Sequence, residues 1–355
     1  MLKINDDMLG KSQFIDYMLY LFQVTSEETY PTTIHIPTPE FNDYIEILYQ
    51  RSGQPLPEII VDNNIPTINI PDDPNHVVLA FSGGKDSVAH AAFLKDQNLN
   101  PTLFYVKRAN RSYPNEYNVS KVIADMLQVP LVEDELHYSG KVTKAESPVK
   151  NHLILSLIIE YLRQNNITRC ACGTYLEDTL SKTSTHFGLS DAYEFYRAFE
   201  KAVQSFFPNF KWLCWFNSEV HALSYLVNKH PELIPQYQSC ILPDRYRPNI
   251  RRHNEQKYNI TLLPNRCLSC WKCCQEYLIL HMFDYHTISN DIINNQILPQ
   301  FKKDLPKVVA EDLLPSNPDN LTVEELVDYY ITLDDIVKYK DFNNVLSCIN
   351  FQQFK

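Results

Sequence analysis

Between Val77 and Gly173 the apolar positions fall into short continuous runs that alternate with helical stripes. Val77–Phe81 is unbroken apolar sequence, as expected of a strand buried on both faces, and a helical pattern follows over Ser87–Asp96. A strand at Thr102–Val106 precedes a helix at Glu116–Leu127. A short strand around Leu131–Glu133, a long apolar helix over Asn151–Gln164 and a strand at Arg169–Cys172 complete the series. This alternation predicts an α/β fold, a doubly wound parallel sheet with helices on both faces. Ligands of such sheets bind beyond the carboxyl ends of the strands. The segment Ser82–Ser87 and Gly173 both fall there.

The flanks read differently. Helical patterning around Phe14–Leu21 and Tyr44–Tyr49 gives way to proline-punctuated polar sequence from Pro55 to Pro74. Pro71-Asp72-Asp73-Pro74 cannot continue a regular element and reads as a linker. From about Ser289 to Lys355 the chain is acidic and helix-forming, without a chemical signature. The expected division is an N-terminal extension at 1–71, a central domain at 75–288 and a helical C-terminal extension at 289–355. No repeat or low-complexity stretch interrupts it.

At 355 residues the chain exceeds one average domain, although one elaborated α/β domain with appendages also fits. No apolar run reaches the ~20 residues that span a membrane, and the start lacks the basic-then-apolar pattern of a signal peptide. A soluble, cytoplasmic protein with no membrane partner is expected. The net charge of −11 argues against a broad nucleic-acid-binding face, though not against a local basic patch. Nine cysteines, clustered rather than spread, read as metal ligands and not as a secreted disulfide framework.

The chemistry concentrates at Ser82-Gly83-Gly84-Lys85-Asp86-Ser87, between the first strand and its helix. The chain has only seven glycines, and two stand here side by side. Adjacent glycines allow φ > 0 and a close approach of backbone N–H groups to a ligand. A helix starting near Asp86 adds open amides and the positive end of its dipole. Lys85 supplies a point charge, and Ser82 and Ser87 supply hydroxyls. The junction predicts phosphate binding. It is not the Walker pattern, which needs four residues between its first glycine and the Gly-Lys pair.

The second signal is Arg266-Cys267-Leu268-Ser269-Cys270-Trp271-Lys272-Cys273-Cys274, which spaces thiols three residues apart twice over. Such turns bring sulfurs within reach of one ion at ~2.3 Å. Cys240 is the expected fourth ligand, with Cys274 as its competitor. Four sulfurs leave no open position, so the metal would be structural. Zinc is the preferred ion, and an iron–sulfur cluster shares the same ligand types. Cys170 and Cys172, two apart on a strand, and the isolated Cys214 and Cys348 read as core cysteines.

Ser-Gly-Gly-Lys-Asp-Ser resembles the pyrophosphate loop of the N-type ATP pyrophosphatases. Further stretches are similar, in order, to the 7-cyano-7-deazaguanine synthases of that superfamily. Glu146-Ser147-Pro148-Val149-Lys150-Asn151 resembles their Pro-x-Arg-Asn segment. Gly173-Thr174-Tyr175-Leu176-Glu177-Asp178 keeps a glycine at a strand end with an aspartate five residues on. The stretch from Ser190 to Phe199 resembles their Asp-Cys-Arg-Pro-Glu-Phe sequence, and Ser218-Glu219 opens a helix as Lys-Ala-Glu does there. Cys240, Cys267, Cys270 and Cys273 match their four zinc ligands in order. The similarity runs from about Val77 to Phe283.

The resemblance implies an adenine nucleotide alpha hydrolase-like fold and a ligase of queuosine-type base synthesis. ATP, Mg2+ and Zn2+ would be its cofactors. A 7-deazaguanine carboxylate would be adenylated and converted with ammonia to an amide and then to a nitrile. Ser82, Gly83, Gly84, Lys85, Asp86 and Ser87 would hold ATP, with Lys150, Asn151 and Gly173 near the nucleotide. Lys85, Asp86 and Asp178 would carry the chemistry, with Asp86 holding magnesium or capping its helix and Asp178 orienting substrate.

Departures from the pattern bear on the substrate. The family's arginine after its Asp-Cys pair is missing, because Ala192 and Tyr193 follow Asp191. The stretch between Cys240 and Cys267 holds Arg245, Arg247, Arg251, Arg252, His253 and Lys257, read as a charged loop that is either solvated or a docking surface. A nucleic-acid or protein acceptor and a homodimer are left open. The competing reading is ATP-dependent RNA thiolation, which shares the loop but needs a reactive thiol pair or an iron–sulfur cluster. Cys170 and Cys172 keep it in view.

Overall fold

The computed structural model describes residues 3–4, 12–26, 30–108, 114–136, 138–139, 149–173, 193–213, 218–240, 246–300 and 303. Two short pairings flank the main sheet: β1 (Lys3–Ile4) runs antiparallel to β7 (Tyr138–Ser139), and β2 (Thr33–Ile36) runs parallel to β3 (Glu58–Val61). The main sheet joins β4 (His76–Ala80), β5 (Asn100–Arg108), β6 (Leu131–Leu136), β8 (Arg169–Ala171) and β9 (Lys211–Leu213), all parallel, in the order β6-β5-β4-β8-β9. The order reverses between β4 and β8, so a crevice opens between their carboxyl ends.

Alternation along β4 divides the interior. Val78, with Phe104, Cys170 and Trp212, faces one core, while Val77, Leu79 and Phe81 face the other. The first core is closed by α5 (Lys150–Asn165) and α6 (Tyr193–Gln204), the second by α3 (Lys85–Asp96), α4 (Pro114–Leu127), α7 (Glu219–Lys229) and α9 (Trp271–Met282). Helices cover both faces, as a doubly wound sheet requires. The α/β expectation is met.

Within residues 1–71, α1 (Gln13–Ser26) and α2 (Phe41–Arg51) share the first core with α5 and α6. Tyr44 of α2 stacks on Phe195 of α6 with ring centroids 4.3 Å apart, and Phe14 of α1 lies 5.0 Å from Phe206. The Pro71–Pro74 stretch is irregular, as its sequence dictates, yet pinned. Asp72 accepts from Arg169, Lys211 and Thr168 at 3.0, 2.7 and 2.8 Å, which holds its carboxyl well below the usual range, chiefly through Arg169.

Residues 247–258 correct the charged-loop reading. They form a helix, α8 (Arg247–Tyr258), with Pro248 in its first turn and Asn259 in the left-handed conformation at its end. Arg247 and Asn254 are buried in it, and Arg251 is tied to Glu255 and to the Leu262 carbonyl. Past Ser289, Ile292, Ile293, Ile297 and Leu298 belong to the second core. Residues 304–355 fall outside the described residues.

Candidate active site and cysteine centre

Gly83 adopts φ +70°, and a Cβ there would meet Val119 Cγ1 at 2.9 Å. Both the turn and the packing against α4 therefore demand glycine. Gly84 is the N-cap of α3, and no side chain caps that end. The loop closes on itself: Ser87 Oγ donates to the Gly84 carbonyl at 3.1 Å and Ser82 N donates to Ser87 Oγ at 3.5 Å. Gly173, at the end of β8, lies so close to the start of α3 that a Cβ would meet Asp86 Cβ and Ser87 N at 2.9 Å. The segment leaving β8 is thus packed directly against the first turn of α3.

A cavity of about 330 Å³ opens over this junction. Ser82, Asp86, Ser87, Lys150, Asn151 and Gly173 line it, so the structure gathers these expected site residues from three elements. Phe81, Phe104, Tyr105 and Val106 give it an apolar wall, and Glu116 and Lys272 add charge. Lys272 was not among the expected site residues; between metal-ligand cysteines it reads as part of the cysteine motif. Cys172 also lines the cavity and receives a hydrogen bond from Trp212 Nε1 at 3.2 Å, whereas Cys170 is wholly buried and its thiol is pushed up by burial. Asp178, Ser190 and Asp191 lie outside the described residues, as do Arg245, Cys214 and Cys348.

Lys85 lies behind the cavity, not on its wall. It is 5 % exposed, and its Nζ sits 2.9 Å from Asp86 Oδ1 and 3.1 Å from Glu219 Oε1. Burial would lower its pKa, but the Asp86 and Glu219 carboxylates outweigh that and hold it above the ordinary lysine range. Glu219 opens α7, where Ser218 caps the helix by accepting from His221 N at 3.1 Å. Burial pushes the Glu219 carboxyl up, and Lys85 opposes the shift. In α3, His90 donates from Nδ1 to the Asp86 carbonyl at 2.9 Å; burial depresses its pKa to about 4.

Beside the loop, Cys240, Cys267, Cys270 and Cys273 are all buried, with Sγ atoms within 4.8 Å of one another and Cys240 to Cys270 at 3.9 Å. A tetrahedron of sulfurs at ~2.3 Å from one ion has edges of about 3.8 Å, so the set fits a single zinc-like ion. In an iron–sulfur cubane each thiolate binds a different iron, which spreads the sulfurs farther apart. Cys274 points instead into the second core. Ser269 N donates to Cys267 Sγ at 3.3 Å and Cys267 N to Cys273 Sγ at 3.4 Å, the amide support that thiolates need. Aiming these amides places Leu268 at φ +54°, a left-handed conformation held by full burial of its side chain.

The centre is braced from below and joined to the loop above. Asn254 of α8 donates to the Cys267 carbonyl and to Ser269 Oγ, both at 2.7 Å. The wholly buried Arg266 donates to Glu276 Oε1 at 2.6 Å and to the Tyr237 and Ile234 carbonyls, and lies over the Tyr237 ring at 4.2 Å. Two residues before Cys240, Gln238 N donates to the Gly83 carbonyl at 2.9 Å, and Asn115 Nδ2 donates to Gln238 Oε1 at 2.7 Å.

No protein-family model matches the chain. No curated protein matches it either. Among solved structures, U34-tRNA thiolase NcsA from Methanococcus maripaludis, with its [4Fe-4S] cluster, is 12 % identical over 70 % of this chain and 80 % of its own, with a TM-score of 0.30. NMN synthetase from Francisella tularensis is 12 % identical over 79 % of this chain and 99 % of its own, TM-score 0.28. NH3-dependent NAD synthetase from Campylobacter jejuni is 13 % identical over 76 % and 98 %, TM-score 0.29. At these scores the function rests on the site itself.

Proposed function

We propose that this protein is an ATP-dependent C–N ligase that adenylates a 7-deazaguanine carboxylate and converts it with ammonia to the amide and then the nitrile. The observation that carries the reading is the left-handed Gly83 turn at the head of α3, opening on a cavity at the switch point of the sheet. Backbone amides and a helix N-terminus in that place suit the phosphates of a nucleotide. The apolar wall of Phe81, Phe104, Tyr105 and Val106 suits a purine-like ring.

The substrate carboxylate attacks the α-phosphorus, the α–β bridging bond breaks, and pyrophosphate leaves as an acyl adenylate forms. Ammonia then displaces AMP and loses a proton, giving the amide. A second ATP adenylates the amide oxygen; loss of AMP and two protons leaves the nitrile. The loop amides and Lys150 neutralise charge developing on the phosphates. Magnesium, bound with ATP, supplies further charge neutralisation, and Asp86 and Glu116 are the cavity carboxylates suited to hold it. The four-cysteine centre would hold zinc in a closed, structural role.

Incubation with ATP, magnesium, ammonia and 7-carboxy-7-deazaguanine, followed by mass spectrometry, tests the reading. The expected products are AMP, pyrophosphate and the amide or nitrile. Consumption of ATP with neither product would keep the adenylation chemistry and remove the deazaguanine. The thiolation reading is less favoured: Cys172 reaches the cavity, but Cys170 is sealed in the core and offers no partner thiol there.

A further inference from the structure

The charge of Lys85 is already compensated by Asp86 and Glu219, so an anionic ligand at the loop needs a cation from elsewhere. Lys150 and Lys272 both line the cavity, and Lys272 is the one carried by the cysteine centre. It is exposed, lines the cavity together with Ser82, Asp86 and Ser87, and stands in the first turn of α9 immediately before Cys273. Its charge acts on Glu219, whose carboxylate rests on Lys85. Sharing the cavity wall with Ser82, Asp86 and Ser87 puts Lys272 on the side where the loop turns into α3 and where a phosphate chain would lie.

Two rigid supports hold it there. Cys270 and Cys273 bracket it in the cysteine centre, and the Arg266–Glu276 pair anchors the same helix from within the core. Gln238 meanwhile binds the loop itself through the Gly83 carbonyl. The segments that carry the cysteine centre are therefore joined both to the loop, through Gln238, and to the cavity wall, through Lys272.

We infer that Lys272 binds the β- and γ-phosphates of a nucleoside triphosphate, and that the cysteine centre serves to present it. The inference rests on the nucleotide reading above but not on the identity of the carboxylate. A lysine held by neighbouring metal ligands loses little side-chain freedom at its root on binding, which favours phosphate contact over solvent. Its charge would also follow the leaving pyrophosphate.

Calorimetric titration with magnesium α,β-methylene-ATP and, separately, with AMP tests this in the wild type and in Lys272→Ala, Lys272→Arg and Lys95→Ala. Lys272→Ala is expected to weaken the triphosphate analogue roughly tenfold or more, the effect of losing one hydrogen bond to a charged group. AMP, lacking the β- and γ-phosphates, should bind within about twofold of wild type, and Lys272→Arg should recover most of the loss. Lys95, exposed at the far end of α3, is the control for net charge. Unchanged metal content and melting temperature in Lys272→Ala exclude collapse of the centre. Equal loss for both nucleotides, or none for either, overturns the assignment while leaving the nucleotide reading intact. A wild type that binds neither nucleotide overturns both.

Discussion

A methyl group at Gly173 would stand 2.9 Å from both Asp86 Cβ and Ser87 N, whereas one at Gly84 would find its nearest neighbours at 3.4 and 3.6 Å. The two glycines therefore do different things. Gly173 lets the end of β8 close against α3, and Gly84, at φ −78°, has room for a side chain. Gly173→Ala should cost about 1–3 kcal/mol of stability by overpacking, read as a lower melting temperature. Gly84→Ala should melt within a few degrees of wild type yet bind nucleotide poorly, because a methyl group at the N-cap of α3 crowds the loop amides that would meet the phosphates. A Gly84→Ala protein with wild-type nucleotide affinity would sink the loop as the phosphate site. Lys85 is a poorer probe. Lys85→Ala leaves the buried Glu219 carboxylate without its cation, a change worth about 3–5 kcal/mol for a buried pair, so lost activity would not isolate a phosphate contact.

At the scale of elements, the βα units from Val77 to Ala171 were legible because β4 and the middle of β5 are apolar runs and the helices between strands are long, although β6 and β8 carry charged residues. The need for a fourth sulfur was legible from the tetrahedral count, and its place at Cys240 rather than Cys274 from the family resemblance. Residues 247–258 were not: mean polarity hid a helix whose real markers are Pro248 at its start and Asn259 at its end. The role of Arg266 was equally hidden, because its partners Ile234, Tyr237 and Glu276 are brought together only by the fold. The cysteine centre should behave as one unit with these supports. Elemental analysis is expected to give one zinc per chain, and Cys267→Ser should lose the metal together with several degrees of melting temperature, since metal-binding energy in a closed thiolate site is folding energy. Asn254→Ala should weaken retention of the ion without removing a ligand, because it releases the Cys267 carbonyl and Ser269. Iron accompanied by acid-labile sulfide in anaerobically prepared protein would count against the single-ion geometry.

Across the whole molecule, the N-terminal helices and the βα core meet around one histidine. His152 of α5 hydrogen-bonds Tyr44 of α2 at 3.2 Å and is enclosed by Phe195, Tyr196 and Phe199 of α6, with ring centroids 4.4, 4.6 and 4.8 Å away. Sequence alone could place Tyr44 and His152 on helices but not bring them together across 108 positions. Its Nε2 has no hydrogen-bond partner among the described residues, so protonation there would bury an uncompensated charge, and burial lowers its pKa to about 3. His90, in the opposite core, is lowered to about 4. Both are neutral in the folded chain near pH 7, while in the unfolded chain they take up protons below about 6.5. Their contribution to stability is therefore complete above pH 6.5 and is lost as the pH falls toward 4 and 3. The slope is at most about 1.4 kcal/mol per pH unit for each histidine. Urea unfolding at fixed metal content between pH 8 and 5 should show this fall, and His152→Phe should flatten it while leaving that of His90. Loss of metal at acid pH would lower stability in both proteins alike, so the difference between them isolates the histidine. An unchanged slope in His152→Phe would mean that the two cores separate before this histidine is protonated, and that the N-terminal helices do not share the cooperative unit of the sheet.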